Sequence, residues 1–317
     1  MKRILLTGLG AWGSRHLRVL QSLPVELYCC DQNPERLKGL QRASTDHRYF
    51  LSQIDAVVIV TPAPSHFALA RELLEAGKDV FVEKPLCPEA SECRQLSELA
   101  DARGRILQVG HIFRFDAATR WLRDALHAEK LGAIRCLRGR FCGFKRPRPD
   151  GGGMFSDGIH FVDLFNYLLG ATPRSVQAIH RDLLGRGMDD VSIVSLDYQT
   201  ASGPVWATVE TDYFTPGKVR EVLVVGACAT AVCDYGAAQQ KIKLLENRHG
   251  KGVATEGPST FIDTTSEEPL RAELQAFLNS LDTRDKPSAD GWSGFQAVRV
   301  LNAAVESART GKIIQLT

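Results

Sequence analysis

The sequence lacks several features that would place its 317 residues in a specialised class of protein. No apolar run approaches the roughly 20 residues that cross a bilayer, so we expect no membrane span. The formal net charge is only +2, which gives no overall field favouring nucleic acid or an anionic membrane surface. Internal repeats and low-complexity tracts are also missing. The composition, 44% hydrophobic and 24% charged, is that of a globular protein with ample chain for a core.

The eight cysteines lack the spacing of a metal site or a redox motif, because none forms a Cys-x-x-Cys pair. We therefore expect reduced, buried thiols and no metal centre. The first residues briefly resemble a signal peptide, but Gly8, Gly10 and Gly13 interrupt the apolar segment and no small-residue cleavage site follows. These observations predict a cytoplasmic protein.

Residues 1–117 alternate between strand-like and helix-like segments. Short apolar runs occupy 4–7, 25–30, 55–60, 79–82 and 106–109, and helical patterns begin near residues 14, 33, 66 and 89. This alternation predicts an α/β fold with an N-terminal Rossmann domain, in which helices cover a doubly wound parallel sheet. After residue 117 the pattern changes. Helices are predicted at 117–130 and 160–169 and a strand at 134–143; the strand-like runs that follow without helices between them are 175–181, 191–199, 204–213, 219–226, 229–235 and 240–246.

The second half therefore predicts an α+β domain with an antiparallel or mixed sheet, closed by two helices at about 268–282 and 293–309. The change of pattern predicts two domains, one over residues 1–117 and one over 118–317.

A glycine turn follows the first strand-like run and opens the first helix, with the sequence Gly8-Leu9-Gly10-Ala11-Trp12-Gly13. In this position Gly8 permits the tight turn, Gly10 lets a pyrophosphate approach the backbone, and Gly13 allows close helix–strand packing. Ala11 and Trp12 lie between them at the helix N-terminus, whose N–H groups favour phosphate. The sequence predicts a dinucleotide site, and the alternative is a glycine turn that binds no ligand.

Asp31 stands 18 residues beyond Gly13, at the end of the second strand. A carboxylate there accepts hydrogen bonds from both adenosine ribose hydroxyls and repels a 2′-phosphate, so the sequence favours NAD over NADP. Arg36 keeps NADP as an alternative, because its side chain could turn toward that ribose.

Two more segments follow parallel strands and so reach the same sheet edge. They are Thr61-Pro62-Ala63-Pro64-Ser65-His66 and Glu83-Lys84-Pro85. Ligands of open parallel sheets bind beyond the carboxyl ends of strands, so we expect contacts to the cofactor from Thr61, Pro62, Pro64, His66, Glu83 and Lys84. The alternative for the first segment is a proline-stiffened helix cap. Lys84 can also stabilise a substrate alkoxide as hydride leaves, unless it is a solvated surface lysine.

The segment Gly151 to Asp163 contains the other candidate catalytic groups. Its glycines let the backbone approach a ligand, and His160 begins a helix. Histidine titrates near neutral pH, which suits a general base, although a hydrogen-bonded core histidine is the alternative. Asp163 shares a helix face with His160 and is a candidate to orient the substrate or the imidazole.

Taken together, these motifs resemble those of the family of glucose-fructose oxidoreductase, inositol dehydrogenase and the rhizopine-catabolism protein MocA. The resemblance also includes Gly110-His111…Arg114-Phe115 and Glu268-Pro269-Leu270-Arg271-Ala272-Glu273. It implies that residues 1–117 form a Rossmann domain that binds NAD(P), and that residues 118–317 form the substrate-binding and oligomerisation domain. That second domain has an open, mostly antiparallel sheet, whose face often forms a dimer or tetramer. The resemblance also implies NAD(P)-dependent oxidation or reduction of a sugar or polyol, with Lys84 and His160 as the catalytic pair.

The sequence departs from the family pattern beside the histidine. Many members carry an aspartate four residues before it, where this chain has Ser156, and Asp157 comes one place later. The third polar group is therefore either missing or supplied by Asp157 from a shifted backbone.

A basic run precedes the glycine loop and consists of Arg135, Arg138, Arg140, Lys145, Arg146 and Arg148. It is either solvated surface charge or a site for a phosphate or carboxylate of the substrate, for example of a nucleotide-sugar. The Glu-Pro-Leu-Arg segment looks similar to family members that act on nucleotide-linked amino sugars.

Three functions compete at this point. The first is a dehydrogenase of a sugar or polyol, including nucleotide-linked sugars. The second, which the resemblance brings in, is a glycosidase that oxidises its substrate transiently with tightly held NAD. The third is a cofactor-sensing binding protein without catalysis, against which the presence of both Lys84 and His160 argues.

Overall fold

A computed structural model of the chain describes residues 1–144, 151–250, 253–264 and 267–316. The chain forms two compact units, one of Met1–Ile112 with Glu268–Val298 and the other of Phe113–Glu267 with Arg299–Thr317. Within the described ranges, no helix combines the length and the apolar character needed to span a bilayer.

The secondary structure follows the predicted alternation closely in the first part of the chain. In order, the elements there are β1 (Lys2–Thr7), α1 (Gly13–Gln21), β2 (Val25–Cys30), β3 (Ala43–Ser44), β4 (Ala56–Ile59), α2 (His66–Glu75), β5 (Asp79–Glu83), α3 (Ala90–Arg103) and β6 (Leu107–Gly110). The helix predicted from Asn33 is a single 3₁₀ turn, Pro34–Leu37, and the Asn33 side chain accepts a hydrogen bond from the Glu35 N–H.

The remaining elements include more strands than the sequence pattern indicates. They are α4 (Ala117–His127), β7 (Ile134–Gly143), α5 (Ile159–Leu169), β8 (Ser175–Arg181), β9 (Val191–Thr200), β10 (Gly203–Asp212), β11 (Lys218–Gly226), β12 (Ala229–Asp234), β13 (Ile242–Gly250), β14 (Val253–Ile262), α6 (Pro269–Thr283), α7 (Gly291–Thr310) and β15 (Ile314–Gln315). The strands β3 and β15 have two residues each, too few to show a periodicity.

The first unit is built on a six-stranded parallel sheet in the order β3-β2-β1-β4-β5-β6. The central strands are buried on both faces, as helices on both sides of a parallel sheet require. This confirms the predicted Rossmann-type, doubly wound fold. The chain order reverses beside β1, so the carboxyl ends of β1 and β4 flank the crevice in which such folds bind ligands.

The helix α6 explains why the first unit is not one continuous stretch of chain. Its apolar stripe includes Leu270, Leu274 and Phe277, which share a core with Ile4 of β1 and Phe81 of β5. The rings of Phe81 and Phe277 meet edge to face, with centroids 5.7 Å apart. The boundary between functional domains after residue 117 stays a prediction. The compact units do not follow it, because α6 packs into the core of the first unit.

The second unit contains a nine-stranded open sheet in the order β14-β13-β12-β11-β7-β10-β9-β8-β15. Only β7 and β10 pair in parallel among these described strands, so the sheet is mixed and mostly antiparallel, as predicted. Gly139 of β7 leaves room for Phe161 of α5, whose ring would lie 2.6 Å from a Cβ at that position. The helix α5 therefore lies directly on one face of this sheet.

The cysteines do not all follow the prediction of buried thiols. All eight are free of disulfides, and six are buried, but Cys136 is half-buried and Cys228 is exposed. Cys228 lies beside the turn at Gly132, outside the strands.

Candidate active site

The glycine turn has the backbone that the sequence predicts. Gly8 has φ +87°, and a Cβ there would lie 2.6 Å from the Val60 carbonyl oxygen. A Cβ at Gly13 would lie 1.9 Å from the Gly8 carbonyl oxygen, so the turn and α1 touch directly. Both positions therefore require glycine for packing within the protein itself.

Gly10 differs from these two glycines, because the described residues leave the space beside it open. Of their atoms, a Cβ there would meet just the Arg36 Nη1, at 3.9 Å. Among the described side chains, none caps the N-terminus of α1 with a hydrogen bond. An open backbone next to an uncapped helix N-terminus is the arrangement that a pyrophosphate needs, so the residues of the turn fit a dinucleotide.

The Asp31 carboxylate is buried at the end of β2 and accepts hydrogen bonds from the N–H groups of Leu9 and Asn33, at 2.6 and 2.8 Å. The Arg36 Nη1 lies 3.2 Å from the same carboxylate. Burial alone would raise the pKa of Asp31, but these donors outweigh it and hold that pKa below its ordinary value. Asp31 is therefore an ionised group at the sheet edge, with the predicted Arg36 beside it.

Glu83, the last residue of β5, connects the glycine turn to Lys84. Its buried carboxylate accepts a hydrogen bond from the Trp12 indole at 2.6 Å and contacts His16 Nε2 at 2.8 Å. Burial raises the pKa of Glu83, but the contacts with His16 and Trp12 and the nearby Lys84 charge outweigh it, so the net shift is downward. The group is an anion that fixes the turn to the end of β5.

Gly110 lies directly beside the Glu83 carboxylate. It pairs with Glu83 across β5 and β6, and a Cβ there would lie 2.9 Å from the Glu83 Cδ. Gly110 belongs to the Gly-His segment of the sequence, whose function the motif alone did not explain. Its absent side chain leaves the space in which the carboxylate lies.

The segment after β4 is joined to the Lys84–Pro85 turn by His66. The His66 ring lies between the carbonyl oxygens of Pro85 and Thr61, at 2.9 and 2.8 Å, and burial lowers its pKa. A neutral ring donates to one of these oxygens, so His66 holds the two loops together. Pro62 and Pro64 are exposed beside it, and the Lys84–Pro85 peptide is cis. The cofactor contacts predicted for this segment stay predictions.

In the second unit, two aromatic rings pack against the His160 side chain. The imidazole stacks on Phe141 with centroids 5.6 Å apart and an interplanar angle of 20°, and Phe113 lies 4.9 Å away. The Arg220 guanidinium lies over the Phe141 ring, 3.5 Å from its centroid. These contacts fix the plane of a half-buried imidazole at the start of α5.

A π-helical turn, Met154–Gly158, stands where the sequence departs from the family pattern. The Ile159 N–H bonds to the Met154 carbonyl, five residues back, and α5 begins at Ile159. Burial lowers the pKa of Arg220, and the charge of Asp157 opposes this shift, which places the Asp157 carboxylate near the guanidinium. Whether Asp157 supplies the third polar group stays a prediction.

Asp163 has a partner that the sequence did not indicate. Its buried carboxylate receives two hydrogen bonds from Arg114, from Nε at 2.7 Å and Nη2 at 2.5 Å. The same guanidinium lies 4.7 Å from the Tyr167 ring centroid. The predicted roles in orienting the substrate or imidazole stay predictions, and the geometry gives Asp163 a structural role in holding α5.

Asp189 was not identified from the sequence, although it positions the glycine loop. Its side chain accepts hydrogen bonds from the Met154 N–H at 2.7 Å and the Ser192 hydroxyl at 2.6 Å. The Gly153 N–H donates to the Asp189 carbonyl, and a Cβ at Gly152 would lie 1.7 Å from the Asp189 Oδ1. Nothing in the local sequence distinguishes this aspartate from its neighbour Asp190.

The described part of the basic run does not lie beside His160. Arg138 and Arg140 alternate with Phe141 along β7, so they point to the face of the sheet opposite α5, where Arg140 pairs with Glu210 at 3.2 Å. Lys145, Arg146 and Arg148 lie outside the described residues. Arg138 and Arg140 therefore lie away from His160, and the phosphate or carboxylate site suggested for the basic run stays a prediction.

One group in the described chain has the composition of a metal site, namely Cys142, Glu210 and Asp212. Burial raises the pKa of Cys142 to about 12, so its thiol is neutral and a poor ligand. The Asp212 carboxylate already accepts hydrogen bonds from Phe214 and Thr215. These three residues therefore do not support a metal site.

A parallel sheet with an open glycine turn, an ionised carboxylate after β2 and a lysine after β5 defines a dinucleotide-dependent oxidoreductase. Residues 2–111 match the family model described as an oxidoreductase family with an NAD-binding Rossmann fold, and residues 123–316 match that family's C-terminal alpha/beta domain. The chain therefore belongs to the Gfo/Idh/MocA family of oxidoreductases, as the sequence motifs predicted. It is an NAD(P)-dependent dehydrogenase of CH–OH groups with an NAD-binding Rossmann domain.

Individual relatives cover almost the whole chain at low identity. The scyllo-inositol 2-dehydrogenase (NAD(+)) of Bacillus subtilis strain 168 is 28% identical, covering 99% of this chain and 96% of its own length. The UDP-N-acetylglucosamine 3-dehydrogenase of Acidithiobacillus ferrooxidans is 27% identical, covering 94% of each protein. A solved structure of the latter enzyme matches with a TM-score of 0.85 at 25% identity, covering 97% of this chain and 98% of that one.

Proposed function

We propose that this protein oxidises a secondary hydroxyl of a sugar, a polyol or a nucleotide-linked sugar, with Lys84 and His160 as its catalytic pair. When bound, NAD supplies the hydride acceptor for this oxidation. The observation that carries the proposal is the hydrogen bond between Trp12 of the glycine turn and the Glu83 carboxylate. Because Glu83 directly precedes Lys84, this bond ties the glycine turn to the lysine. A cofactor-binding turn and an amine fixed to each other are what hydride transfer at a hydroxyl requires.

Lys84 supplies the positive charge for the substrate oxygen. It follows β5 at the carboxyl edge of the sheet, is half-buried, and is close enough to Glu83 for its charge to lower that residue's pKa. An ammonium group there donates a hydrogen bond to the hydroxyl and stabilises the negative charge that develops on oxygen.

His160 accepts the hydroxyl proton. The rings of Phe113 and Phe141 fix the orientation of the imidazole. An imidazole held in one orientation can serve as the general base for a bound hydroxyl.

Asp157 takes the place of the aspartate that many family members carry before the histidine. The π-helical turn supports this assignment, because it shifts the backbone at this position, and π turns are frequent at functional sites. Its charge lies near Arg220, so the two groups balance each other beside the histidine.

The two kinds of relative support this substrate class. One relative is named for a polyol, scyllo-inositol, and the other for a nucleotide-linked amino sugar, UDP-N-acetylglucosamine. Both substrates present ring hydroxyls to a dehydrogenase, so the proposal extends to secondary ring hydroxyls of either class.

The test is a panel of scyllo-inositol, free hexoses and UDP-N-acetylglucosamine, offered with NAD and separately with NADP. The proposal expects NADH absorbance to rise with one substrate class. Release of an aglycone from a glycoside without net NADH would instead favour the glycosidase. NAD binding without turnover of any member would favour the cofactor sensor.

We also propose that the outer face of the second sheet, opposite α5, associates with a second copy of the chain. Ile179 of β8, Ile193 of β9 and Trp206 of β10 are 58%, 50% and 45% exposed, and Ile179 pairs directly with Ile193. Exposed apolar residues grouped on one sheet face are typical of an interface, which supports a homodimer or homotetramer.

A further inference from the structure

The amino ends of the parallel strands border a cleft at the sheet edge opposite the glycine turn. The cleft has a volume of about 730 Å³ and is lined by the starts of β1 and β5, the residues before β4 and β6, and the end of α6. All of its lining residues belong to the first unit. A volume of this size is in the range of small-molecule sites, and nothing in the proposed oxidation uses it.

Basic side chains dominate the charge of this cleft. Five of them line it, namely Lys2, Arg3, Lys78, Arg105 and Arg284. Three carboxylates line it as well, those of Asp55, Asp79 and Asp282. The formal charge of the lining side chains is therefore 5 − 3 = +2.

Each carboxylate is already engaged by one of the cations. Arg3 binds Asp55 with Nη2 at 2.5 Å and Nε at 3.2 Å. Arg284 binds Asp79 through Nη1 and Nη2, at 2.6 and 2.9 Å. Lys2 pairs with Asp282 at 2.9 Å. Within the described chain these pairs leave Lys78 and Arg105 without a carboxylate in an ion pair, although Asp55 lies close enough to raise the pKa of Lys78.

Lys78 and Arg105 contact only backbone carbonyls within the part of the chain that the structure describes. The Lys78 Nζ donates to the Ile54 carbonyl at 2.8 Å, and the Arg105 Nη1 donates to the Gly77 carbonyl at 3.1 Å. Burial lowers the pKa of Lys78, the charges of Arg3 and Arg105 lower it further, and Asp55 opposes them. Two cations that repel each other across a cleft favour a bound anion.

We propose that this cleft binds a small polyvalent anion of the phosphate class, whose oxygens accept hydrogen bonds from Lys78 and Arg105. Phosphate oxygens accept several charged donors at once, which suits an ammonium and a guanidinium that line the same cleft. A singly charged anion would leave part of the +2 charge unbalanced. The cleft volume accommodates a phosphate ester as large as a mononucleotide.

The other explanation for these cations is purely structural. The helices α2 and α3 end just before Lys78 and Arg105, and cations near helix C-termini stabilise the helix dipole. On that explanation both side chains serve the fold, and no anion binds between them.

Isothermal titration calorimetry with pyrophosphate and inorganic phosphate distinguishes the two explanations. The protein is saturated with NAD, which blocks the glycine turn as a second phosphate site, and ionic strength is matched with chloride. Wild type is compared with the double variant Lys78→Gln/Arg105→Gln and with the control Lys38→Gln/Arg94→Gln. The control also removes two exposed cations from the first unit, both outside the cleft.

The proposal expects one pyrophosphate per chain in wild type and control, and binding at least tenfold weaker in the double variant. Lys78→Arg, which keeps the charge, retains the binding. Three results would overturn the proposal: no binding of either anion at millimolar concentration, equal binding by the double variant, or citrate binding as tightly as pyrophosphate. Cooperative thermal unfolding of every variant confirms that a loss of binding is not a loss of fold.

Discussion

The indole nitrogen of Trp12 donates a 2.6 Å hydrogen bond to the buried carboxylate of Glu83. Trp12 lies within the glycine turn, and Glu83 directly precedes Lys84 in the chain. Between β1 and β5 only β4 intervenes, so one hydrogen bond spans the crevice at the carboxyl edge of the sheet. The cofactor turn and the candidate catalytic lysine therefore share one anchor.

The first prediction concerns that anchor. Glu83→Gln removes the charge that His16 and Trp12 contact, and a weakened buried network of this kind costs about 1–3 kcal/mol of unfolding free energy. We expect this loss in urea denaturation, together with weaker NAD binding. Glu89→Gln, an exposed change near the same loop, is the control and should leave both quantities unchanged.

The same network predicts a pH dependence. The pKa of Glu83 is lowered in the folded state, so its contribution to stability is present above the unfolded pKa of about 4.3 and is lost as pH falls through the folded pKa. Wild type should therefore lose more stability than Glu83→Gln between neutral and acidic pH. Parallel unfolding curves for the two proteins across that range would contradict the assignment.

The second prediction concerns cofactor choice. Asp31→Ser removes the carboxylate beside Arg36 and frees that guanidinium for a 2′-phosphate. We expect kcat/KM for NADP to rise at least tenfold relative to that for NAD. Glu35→Gln, an exposed change on the next turn, should leave the ratio as it is in wild type.

The third prediction separates structure from catalysis at Asp163. Asp163→Asn leaves the buried Arg114 charge unpaired and should cost about 3–5 kcal/mol of unfolding free energy. Replacing both residues, as Arg114→Met/Asp163→Leu, should restore much of the stability, because apolar pairs often replace buried ion pairs without loss. If the double variant is also active, Asp163 serves only the fold; if it is stable but inactive, the predicted role with the substrate gains support.

The fourth prediction concerns self-association. Trp206→Glu places a charge on the exposed sheet face and should shift the protein to monomers in light scattering. Tyr49→Glu, at an exposed aromatic of the first unit, should leave the assembly unchanged. A variant at Trp206 with the wild-type mass would show that the chain associates elsewhere or not at all.

Local sequence signals were sufficient for much of the fold. The strands at 134–143 and 175–181 match their apolar patterns residue for residue, and Gly104 ends α3 with the left-handed backbone that a C-terminal glycine provides. The sequence pattern of α6 predicts less, because Leu270, Leu274 and Phe277 indicate only that one face of the helix is buried. Which sheet that face packs against depends on distant parts of the chain.

The candidate active site also combines residues that the sequence predicts with contacts that it does not. Glycines and the lysine at strand ends are readable from sequence, because their positions relative to a strand carry the signal. The partners that fix them are not, since Glu83 with Trp12, Asp163 with Arg114, and Asp189 with Met154 are far apart in the chain. The π-helical turn could be suspected only from the one-residue offset between Ser156 and Asp157.

The most direct test of the proposed chemistry measures NADH formation by Lys84→Gln, His160→Gln and the double variant, with whichever panel substrate wild type oxidises. We expect kcat to fall by about 100-fold or more in each single variant, while the dissociation constant for NAD stays within a few fold of wild type. The double variant should lose less than the product of the two single losses, because the two groups act on one oxygen. NADH formation at the wild-type rate by Lys84→Gln would contradict the account.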